Sequence, residues 1–476
     1  MNFRNTLIVE EVEQLARWKE YLSVNKMLAA AVKVLDKLNN RGYSAYIVGG
    51  AVRDIVLGVK PHDVDISSNC PIEVIEQLYH SVDIGKSKDF GITSIKSDGY
   101  VFEISRFRSD GVYTDGRRPD KINIELTFEK DAARRDFSLN AMAIDKDGNI
   151  IDYFDGKKDI KNKIIRTVGN PKDRFGEDYL RMLRVARFSA KLGFDIEPET
   201  KKAAKELANN VTKLSPERIR DELVKAASSS GEVFAKYIIQ LDELGILKII
   251  LPELVRQHEY KHYKLHHPES DTVWGHTIAS LRVNKLEDPL INICILLHDI
   301  GKPNTATIRD HGGTAYFGHA EEGMRLVEII ADRLKLSNKE RETLIFAVGN
   351  HMKFHLILGM SPSKIYKLVS NDNWDALLAV CMADNFSRGP NFKYDIDFND
   401  IVNKAVEIKE KWGKSSMKNV AKLVDGYNVM KLTGLKPSKR VGDIIKAVTA
   451  WIIDNNINIA DSELVDKKIV EIFNET

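Results

Sequence analysis

The chain is poor in cysteine, in long apolar runs and in net charge. Its 476 residues include only Cys70, Cys294 and Cys381. These are far apart and show no metal-ligand spacing, so neither a disulfide framework nor a cysteine-zinc site is expected. Reduced, structural thiols in a cytoplasmic protein are. No apolar run reaches the roughly 18 residues that a membrane helix needs, which argues against a membrane partner. The start, Met1-Asn2-Phe3-Arg4, leads into mixed polar residues and does not read as a signal peptide. A formal net charge of +2 gives no global field that calls for nucleic acid. Any such surface must come from local basic clusters, which occur at Arg106 to Arg118, Arg181 to Lys191 and Lys436 to Arg440. Internal repeats and low-complexity linkers are lacking too. What is present is a globular composition, 43% hydrophobic and 29% charged, long enough for about three domains with buried cores.

Residues 5 to 39 alternate apolar and charged side chains at helical spacing, which predicts one or two amphipathic helices. The β-rich run Tyr43-Ser44-Ala45-Tyr46-Ile47 follows, then Val48-Gly49-Gly50-Ala51-Val52-Arg53-Asp54 and His62-Asp63-Val64-Asp65. The pattern predicts a strand, a glycine turn, a short helix and a second strand carrying two carboxylates. Gly49 and Gly50 remove side chains where a backbone must approach something closely. Amides at the following helix start suit a phosphate, with Arg53 as its charged partner. On a strand, Asp63 and Asp65 share one face and can share divalent cations, as Mg²⁺ is shared in phosphoryl-transfer sites. Each part alone is commonplace, a turn or a solvated loop; the combination fits the holding of a nucleoside triphosphate on metal. Glu103, on the run Tyr100 to Phe107, falls on a strand expected beside that of Asp63 and Asp65 and is a candidate third carboxylate.

This stretch resembles the signature of the DNA polymerase β-type nucleotidyltransferases, in the class II branch that holds bacterial tRNA CCA-adding enzymes and poly(A) polymerases. The resemblance implies an α+β fold: a polymerase-β-like head of mixed sheet and helices, then a mostly helical neck, body and tail. The loop Arg108 to Asp120 is similar to the flexible loop that helps the active site pass from C to A addition, with Arg117 and Arg118 as RNA-binding candidates. Arg134-Arg135-Asp136-Phe137-Ser138 resembles the second family motif, which implies triphosphate and ribose contacts for Arg135. Asp152-Tyr153-Phe154-Asp155-Gly156 resembles a hinge-like turn. In Asp178-Tyr179-Leu180-Arg181-Met182-Leu183-Arg184-Val185-Ala186-Arg187, the acid and the arginines fall along one helical row. In the family the acid and first arginine hydrogen-bond the Watson–Crick edge of the incoming base. The carry-over gives Asp178 and Arg181 that role, with Arg184 and Arg187 supporting them or meeting phosphate. C and A offer an amine to a carboxylate where U and G do not, so protein side chains can select them without a template. Leu214-Ser215-Pro216-Glu217-Arg218-Ile219 resembles the last motif, which buttresses the helix before it.

From about residue 250 the chain changes character, and eight of its twelve histidines lie between 258 and 319. His276, then His298-Asp299-Ile300-Gly301-Lys302, then Asp384, resemble the HD superfamily of metal-dependent phosphohydrolases, and His319 and His351 would suit a second metal. Imidazole and carboxylate ligands fit a divalent transition metal, whose bound water becomes a nucleophile. An HD fold without catalysis is the alternative. The segment Val424 to Arg440 resembles the family's tail, which implies that Lys436, Lys439 and Arg440 meet tRNA phosphates.

The expected organisation is helices over 1–40, a head over 41–165, a neck with base-recognition helices over 166–235, an HD domain over 236–400 and a helical tail over 401–476. The expected activity is addition or repair of the 3′-terminal CCA of tRNA from CTP and ATP, with Mg²⁺ on Asp63 and Asp65. Poly(A) polymerase, an A-adding tRNA enzyme, an HD phosphohydrolase with a non-catalytic nucleotide-binding head and a non-catalytic RNA-binding module remain as alternatives. The oligomeric state is not legible in the sequence.

Overall fold

Short β-rich runs broken by glycine pair into a sheet, and the longer periodic runs after them fold into helices. The structure, a computed structural model, describes residues 18–79, 81–82, 91–110, 122–261, 271–309, 313–389, 397–458 and 460–475. The chain divides into two compact units, residues 1–226 with 236–250 and residues 227–235 with 251–476. No helix among the described residues is long and apolar enough to cross a membrane. All three cysteines are buried and free.

In the first unit, helix α1 (Lys26–Asn39) starts where the Asn25 side chain accepts from the Leu28 amide, and it buries Leu28, Val34, Leu35 and Leu38. The strands are β1 (Ala45–Val48), β2 (Asp65–Ser68), β3 (Ser81–Val82), β4 (Ile92–Ser97), β5 (Tyr100–Arg106), β6 (Arg108–Asp110), β7 (Ile122–Ile124), β8 (Ala143–Ile144) and β9 (Ile150–Ile151). Among the described residues, seven of them form one sheet in the order β3-β4-β5-β2-β1-β8-β9. The β2–β5 pair is parallel and the other neighbours are antiparallel, so the expected mixed sheet is there. The β1–β2 ladder begins at the Val48–Asp65 pair. Only Asp65 is therefore on the strand; Asp63, expected beside it there, lies two residues ahead. A core of Val48, Phe107, Phe128, Ala132, Ala141 and Ala143 packs in this unit, with Tyr46 stacked on Phe107. Strands β6 and β7 pair as a separate hairpin. Residues 111–121 between them, where most of the expected loop falls, lie outside the described residues, as do residues 1–17 and 262–270.

Helix α2 (Gly50–Val56) leaves the end of β1, and helix α3 (Leu180–Leu192) carries the arginine row. Beyond the head the chain is helical, as expected. In the second unit, α4 (Val273–Val283) is capped by the Thr272 side chain, and α5 (Pro289–Leu297) by Asp288 with proline at its first position. Helix α5 buries Asn292 through Leu297 without a polar face, which makes it a central helix of the bundle. Around it lie α6 (His319–Leu334), α7 (Asn338–Phe354), which opens on a Ser337–Glu340 capping box, and α8 (Trp374–Phe386). Phe354, Trp374 and Leu377 join a core that continues through Ile401 and Val448 to Ile469.

Gly301 is where α6 comes closest to the turn after α5. A β-carbon there would collide with the His319 carbonyl oxygen and lie 2.7 Å from the Gly323 nitrogen, both backbone atoms that cannot swing aside. Gly301→Ala should therefore lower the stability of the second unit by about 2 kcal/mol, the scale of overpacking, read as a drop in its melting temperature.

Candidate functional site

The glycine turn is required where it stands. Gly49 has φ +73°, and a β-carbon on it would lie 3.2 Å from Arg135 Nη1. One helical turn on, Arg53 is buried. Its Nε and Nη2 donate to Asp54 Oδ1 at 2.9 and 2.7 Å, its Nη1 donates to Asn140 Oδ1 at 2.9 Å, and its guanidinium lies over the Phe188 ring.

Strand β5 runs parallel to β2 with Ile66 opposite Ile104, which sets Glu103 level with Asp65. The Asp65 carboxyl is pushed up to about 6, first by loss of hydration and then by the charges of Asp63 and Glu103, with Arg135 opposing. Two carboxylates that crowd a third in this way form with it a donor set whose repulsion a divalent cation relieves. The site thus fits Mg²⁺ in its chemistry.

Beneath this rim lies Asp131, with no exposed surface. Its Oδ1 accepts from Arg134 Nε and Nη2 at 2.9 and 2.7 Å and from the Arg108 amide at 3.4 Å. Its Oδ2 accepts from Arg135 Nη2 at 3.1 Å and from Ser67 Oγ at 3.3 Å. Burial alone would raise this carboxyl; the Arg134 and Arg135 charges hold it below the ordinary range instead.

The helix Pro171–Glu177 ends at Asp178, whose backbone is extended, and α3 follows. Asp178 Oδ1 accepts from the Leu180 amide at 3.0 Å and its Oδ2 from Arg218 Nη2 at 2.7 Å. Arg181 donates to the Arg174 carbonyl at 2.8 Å, to the Arg134 carbonyl at 3.1 Å and to Glu177. Arg184 donates from Nε and Nη2 to Asp136 Oδ2 at 2.8 and 2.6 Å. Burial opposes ionisation of Asp136, yet Arg184, with Asn140 hydrogen-bonded to the other oxygen, brings its carboxyl down to about 2.

These groups surround a cavity of about 470 Å³. Gly49, Gly50, Arg53, Asp65, Arg135, Asp178, Arg181 and Arg184, all singled out in the sequence, line it. Asp63 and Glu103 act on Asp65 from beside it. Arg187 is drawn elsewhere: its Nε donates to Glu222 Oε2 at 2.7 Å. Asp136, Asn140, Phe188 and Arg218 line the cavity without having been expected there. Arg218 had a signal, its place in the Leu214 to Ile219 motif, but that pattern carried only a buttressing role.

The second unit gathers its histidines. His276, His298 and Asp384 form one group of three donors, and Asp299, His319 and His351 another, with the donor atoms of each within 4.8 Å of one another. Asp299 reaches into both: Oδ2 is 3.2 Å from His298 Nε2 and Oδ1 is 3.5 Å from His319 Nε2. The four residues expected to act together, His276, His298, Asp299 and Asp384, are thus neighbours, with His276 Nε2 3.6 Å from Asp299 Oδ2 and 3.0 Å from Asp384 Oδ1, and Asp299 also faces His319 and His351. The Nδ1 atoms of His298, His319 and His351 each sit 2.7 Å from a carbonyl oxygen three residues back. That leaves every Nε2 turned inward, the orientation that metal-ligating histidines adopt. His319 Nε2 and His351 Nε2 approach to 3.1 Å. Burial lowers His276 and His319 and takes His351 down to about 3, so these rings present lone pairs. Burial also opposes a charge on His298, but Asp299 and Asp384 outweigh it and raise that ring. The donor set fits a divalent transition metal. Lys302 Nζ, 2.6 Å from Asp299 Oδ2, and His355 and Arg388 beside Asp384 complete the surroundings.

Of the basic candidates, Arg117 and Arg118 lie outside the described residues. Lys436 is exposed; Lys439 opens the helix Lys439–Asp454; Arg440 donates to the Phe473 carbonyl at 2.9 Å.

Residues 45–166 match the family described as "Poly A polymerase head domain", and residues 193–257 the family described as "Probable RNA and SrmB- binding site of polymerase A". The CCA-adding enzyme of Leuconostoc mesenteroides is 46% identical over 196 residues, 41% of this chain and 48% of that protein. The chain thus spans about half the length of that curated relative. The crystal structure of the Bacillus stearothermophilus CCA-adding enzyme in complex with CTP superimposes with a TM-score of 0.64 at 22% identity, over 94% of this chain and 99% of that one. The Thermotoga maritima CCA-adding enzyme complexed with tRNA gives 0.55 at 19% identity, over 94% and 95%. The fold is the one those enzymes have.

Asp65 makes the metal-free protein pH-sensitive. A carboxyl raised to about 6 in the folded state costs stability above that pH, and the cost fades as the pH falls through it. Asp65→Asn should raise the melting temperature in a metal-free buffer at neutral and higher pH. The gain should be gone by about pH 4, where the unfolded aspartate also keeps its proton. Asp131→Ala, which leaves two arginines over a buried void, should lower the stability of the first unit by about 3 kcal/mol in chemical denaturation.

Proposed function

We propose that this chain, which shares its head domain with poly A polymerases and its fold with CCA-adding enzymes, is a template-independent tRNA nucleotidyltransferase. It builds or repairs the 3′-terminal CCA from CTP and ATP and releases pyrophosphate. The observation that carries this reading is the single cavity that joins the Gly49–Gly50 turn, Arg53, Arg135 and Asp65 to Asp178, Arg181 and Arg184. In this reading the turn and Arg53 and Arg135 hold the triphosphate and ribose. Arg135, fixed from below by Asp131, needs no rearrangement to meet a phosphate. Asp63 and Asp65, with Glu103 beside them, would hold Mg²⁺, which supplies charge neutralisation on the phosphates and a more acidic attacking hydroxyl when bound. Asp178 accepts from the amine common to C and A, and Arg181 donates beside it. Arg184, clamped to Asp136, keeps the base-recognition helix against the second family motif. Lys436, Lys439 and Arg440 are the candidate tRNA-backbone contacts described here.

The second unit supports a metal-dependent phosphohydrolase as a further activity, carried by the two donor groups that meet at Asp299. His276, His298, Asp299, His319, His351 and Asp384 would hold a transition metal, which when bound would lower the pKa of a water used in hydrolysis. The chain's own part is to orient the six inward-facing rings and carboxylates and to exclude bulk water around them.

A tRNA lacking its last three nucleotides, incubated with Mg²⁺ and CTP, ATP or both, tests the first activity at single-nucleotide resolution. Two C's from CTP alone and three additions from the mixture are expected, and Asp63→Ala should reduce them about 1000-fold, several kcal/mol of transition-state charge stabilisation. A long A ladder would make the chain a poly(A) polymerase, and a single A on tRNA ending in CC an A-adding enzyme. For the second unit, added Ni²⁺ or Mn²⁺ should raise the melting temperature and release phosphate from a model phosphomonoester. His319→Ala should lose both effects while nucleotide addition persists.

A further inference from the structure

The geometry points to Arg218 as a specificity-determining positioning residue: it fixes the Asp178 carboxylate as a hydrogen-bond acceptor toward the base of the incoming nucleotide. This inference rests on the nucleotidyltransferase reading and deepens it.

Asp178 and Arg218 are forty residues apart and meet in an ion pair, Nη2 to Oδ2 at 2.7 Å. The other carboxylate oxygen is engaged as well, by the Leu180 amide at 3.0 Å. Two donors from opposite elements therefore pin both oxygens. The carboxylate cannot turn, and each oxygen keeps a lone pair for one more donor. Arg218 and Asp178 both line the cavity. The second terminal nitrogen of Arg218, Nη1, is enclosed and has no hydrogen-bond partner among the described residues. Arg181 is held differently, since two backbone carbonyls and Glu177 take three of its five donors and leave the others for the base.

The chemistry of the four bases turns this into selectivity. Cytosine and adenine present an amine hydrogen, which a pinned carboxylate accepts. Uracil and guanine present a carbonyl oxygen at the corresponding edge, which faces the same lone pairs and is repelled. Repulsion of this kind works only while the carboxylate cannot swing away. Without Arg218 it keeps a single anchor, the Leu180 amide, and turns to relieve the clash. Rejection of U and G then weakens along with binding of C and A.

The test uses the full chain with the shortened tRNA, and CTP, ATP, UTP or GTP supplied singly. Arg218→Gln should raise KM for CTP and ATP by roughly 10- to 100-fold, the range of a hydrogen bond to a charged group, with KM affected more than kcat. The UTP-to-CTP incorporation ratio should rise about tenfold. Arg218→Lys, which keeps the positive charge, should recover part of that ratio. In an Asp178→Asn background, Arg218→Gln should change the ratio no further, because the arginine acts through the carboxylate. An unchanged UTP-to-CTP ratio in Arg218→Gln or, where that variant does not fold, in Arg218→Met overturns the inference. So does a change of equal size in the Asp178→Asn background. CTP and UTP binding, followed by thermal shift, separates this outcome from failure of the function itself. A wild-type chain that adds no nucleotide yet binds CTP over UTP, with the preference lost in Arg218→Gln, refutes the transferase and leaves the role of Arg218 standing.

Discussion

One buried carboxylate organises the head. Asp131 gathers Arg134, Arg135, the hydroxyl of Ser67 on β2 and the first amide of β6 around two oxygens. Each of these partners belongs to a different part of the site. Ser67 is two residues from Asp65, so the strand that brings this carboxylate to the cavity is tied to Arg135, which lines the same cavity. A free pair of arginines at a phosphate site would repel each other and lose side-chain entropy on binding; paired to one acid they are already oriented. The position is costly to disturb for the same reason, since removing the acid strands two cations in a desolvated place.

The second unit uses a carboxylate in an analogous way and to a different end. Asp299 stands between two sets of imidazoles and is itself neutralised by Lys302. The rings are oriented by backbone carbonyls one helical turn back, a local device that any histidine on a helix can use. Helix packing brings the sets together, above all the close approach that Gly301 permits between the turn after α5 and the start of α6. Local hydrogen bonding thus sets the direction of each donor, and tertiary packing sets which donors meet.

That division explains what could be read in the sequence. The glycine turn, the aspartate pair and the arginine row each sit within about ten residues, and the histidine series is an ordered set on successive helices, so side-chain type and spacing carry the chemistry. The choice of partner across long separations could not be read. Arg187 lies in step with Arg181 and Arg184 on the helical row, yet Glu222, thirty-five residues on, draws it off. Asp178 and Arg218 find each other across forty residues. Nothing in the spacing of the four histidines and two aspartates says that Asp299 stands between His298 and His319. Nor does local alternation say that a ladder starts at Asp65 and leaves Asp63 outside. Glu103 is the instructive success: its place beside Asp65 depends on a parallel pairing of β2 with β5 that two β-rich runs allow but do not dictate. The mixed sheet and the helical remainder were legible because periodicity determines element type, and element type limits architecture.

The helix Gly231–Glu243 gives its first turn to one unit and the rest to the other. The chain enters the second unit at residue 227, returns to the first at 236 and leaves it for good after 250. A nascent chain released as far as residue 226 therefore has not yet supplied Tyr237, Ile238 and Leu241, all fully buried in the finished protein. The first unit cannot close its interior during synthesis until about two dozen further residues have cleared the ribosome. A fragment meant to carry the cavity alone must run through Ile250 and leave the short excursion 227–235 to hang free or be replaced.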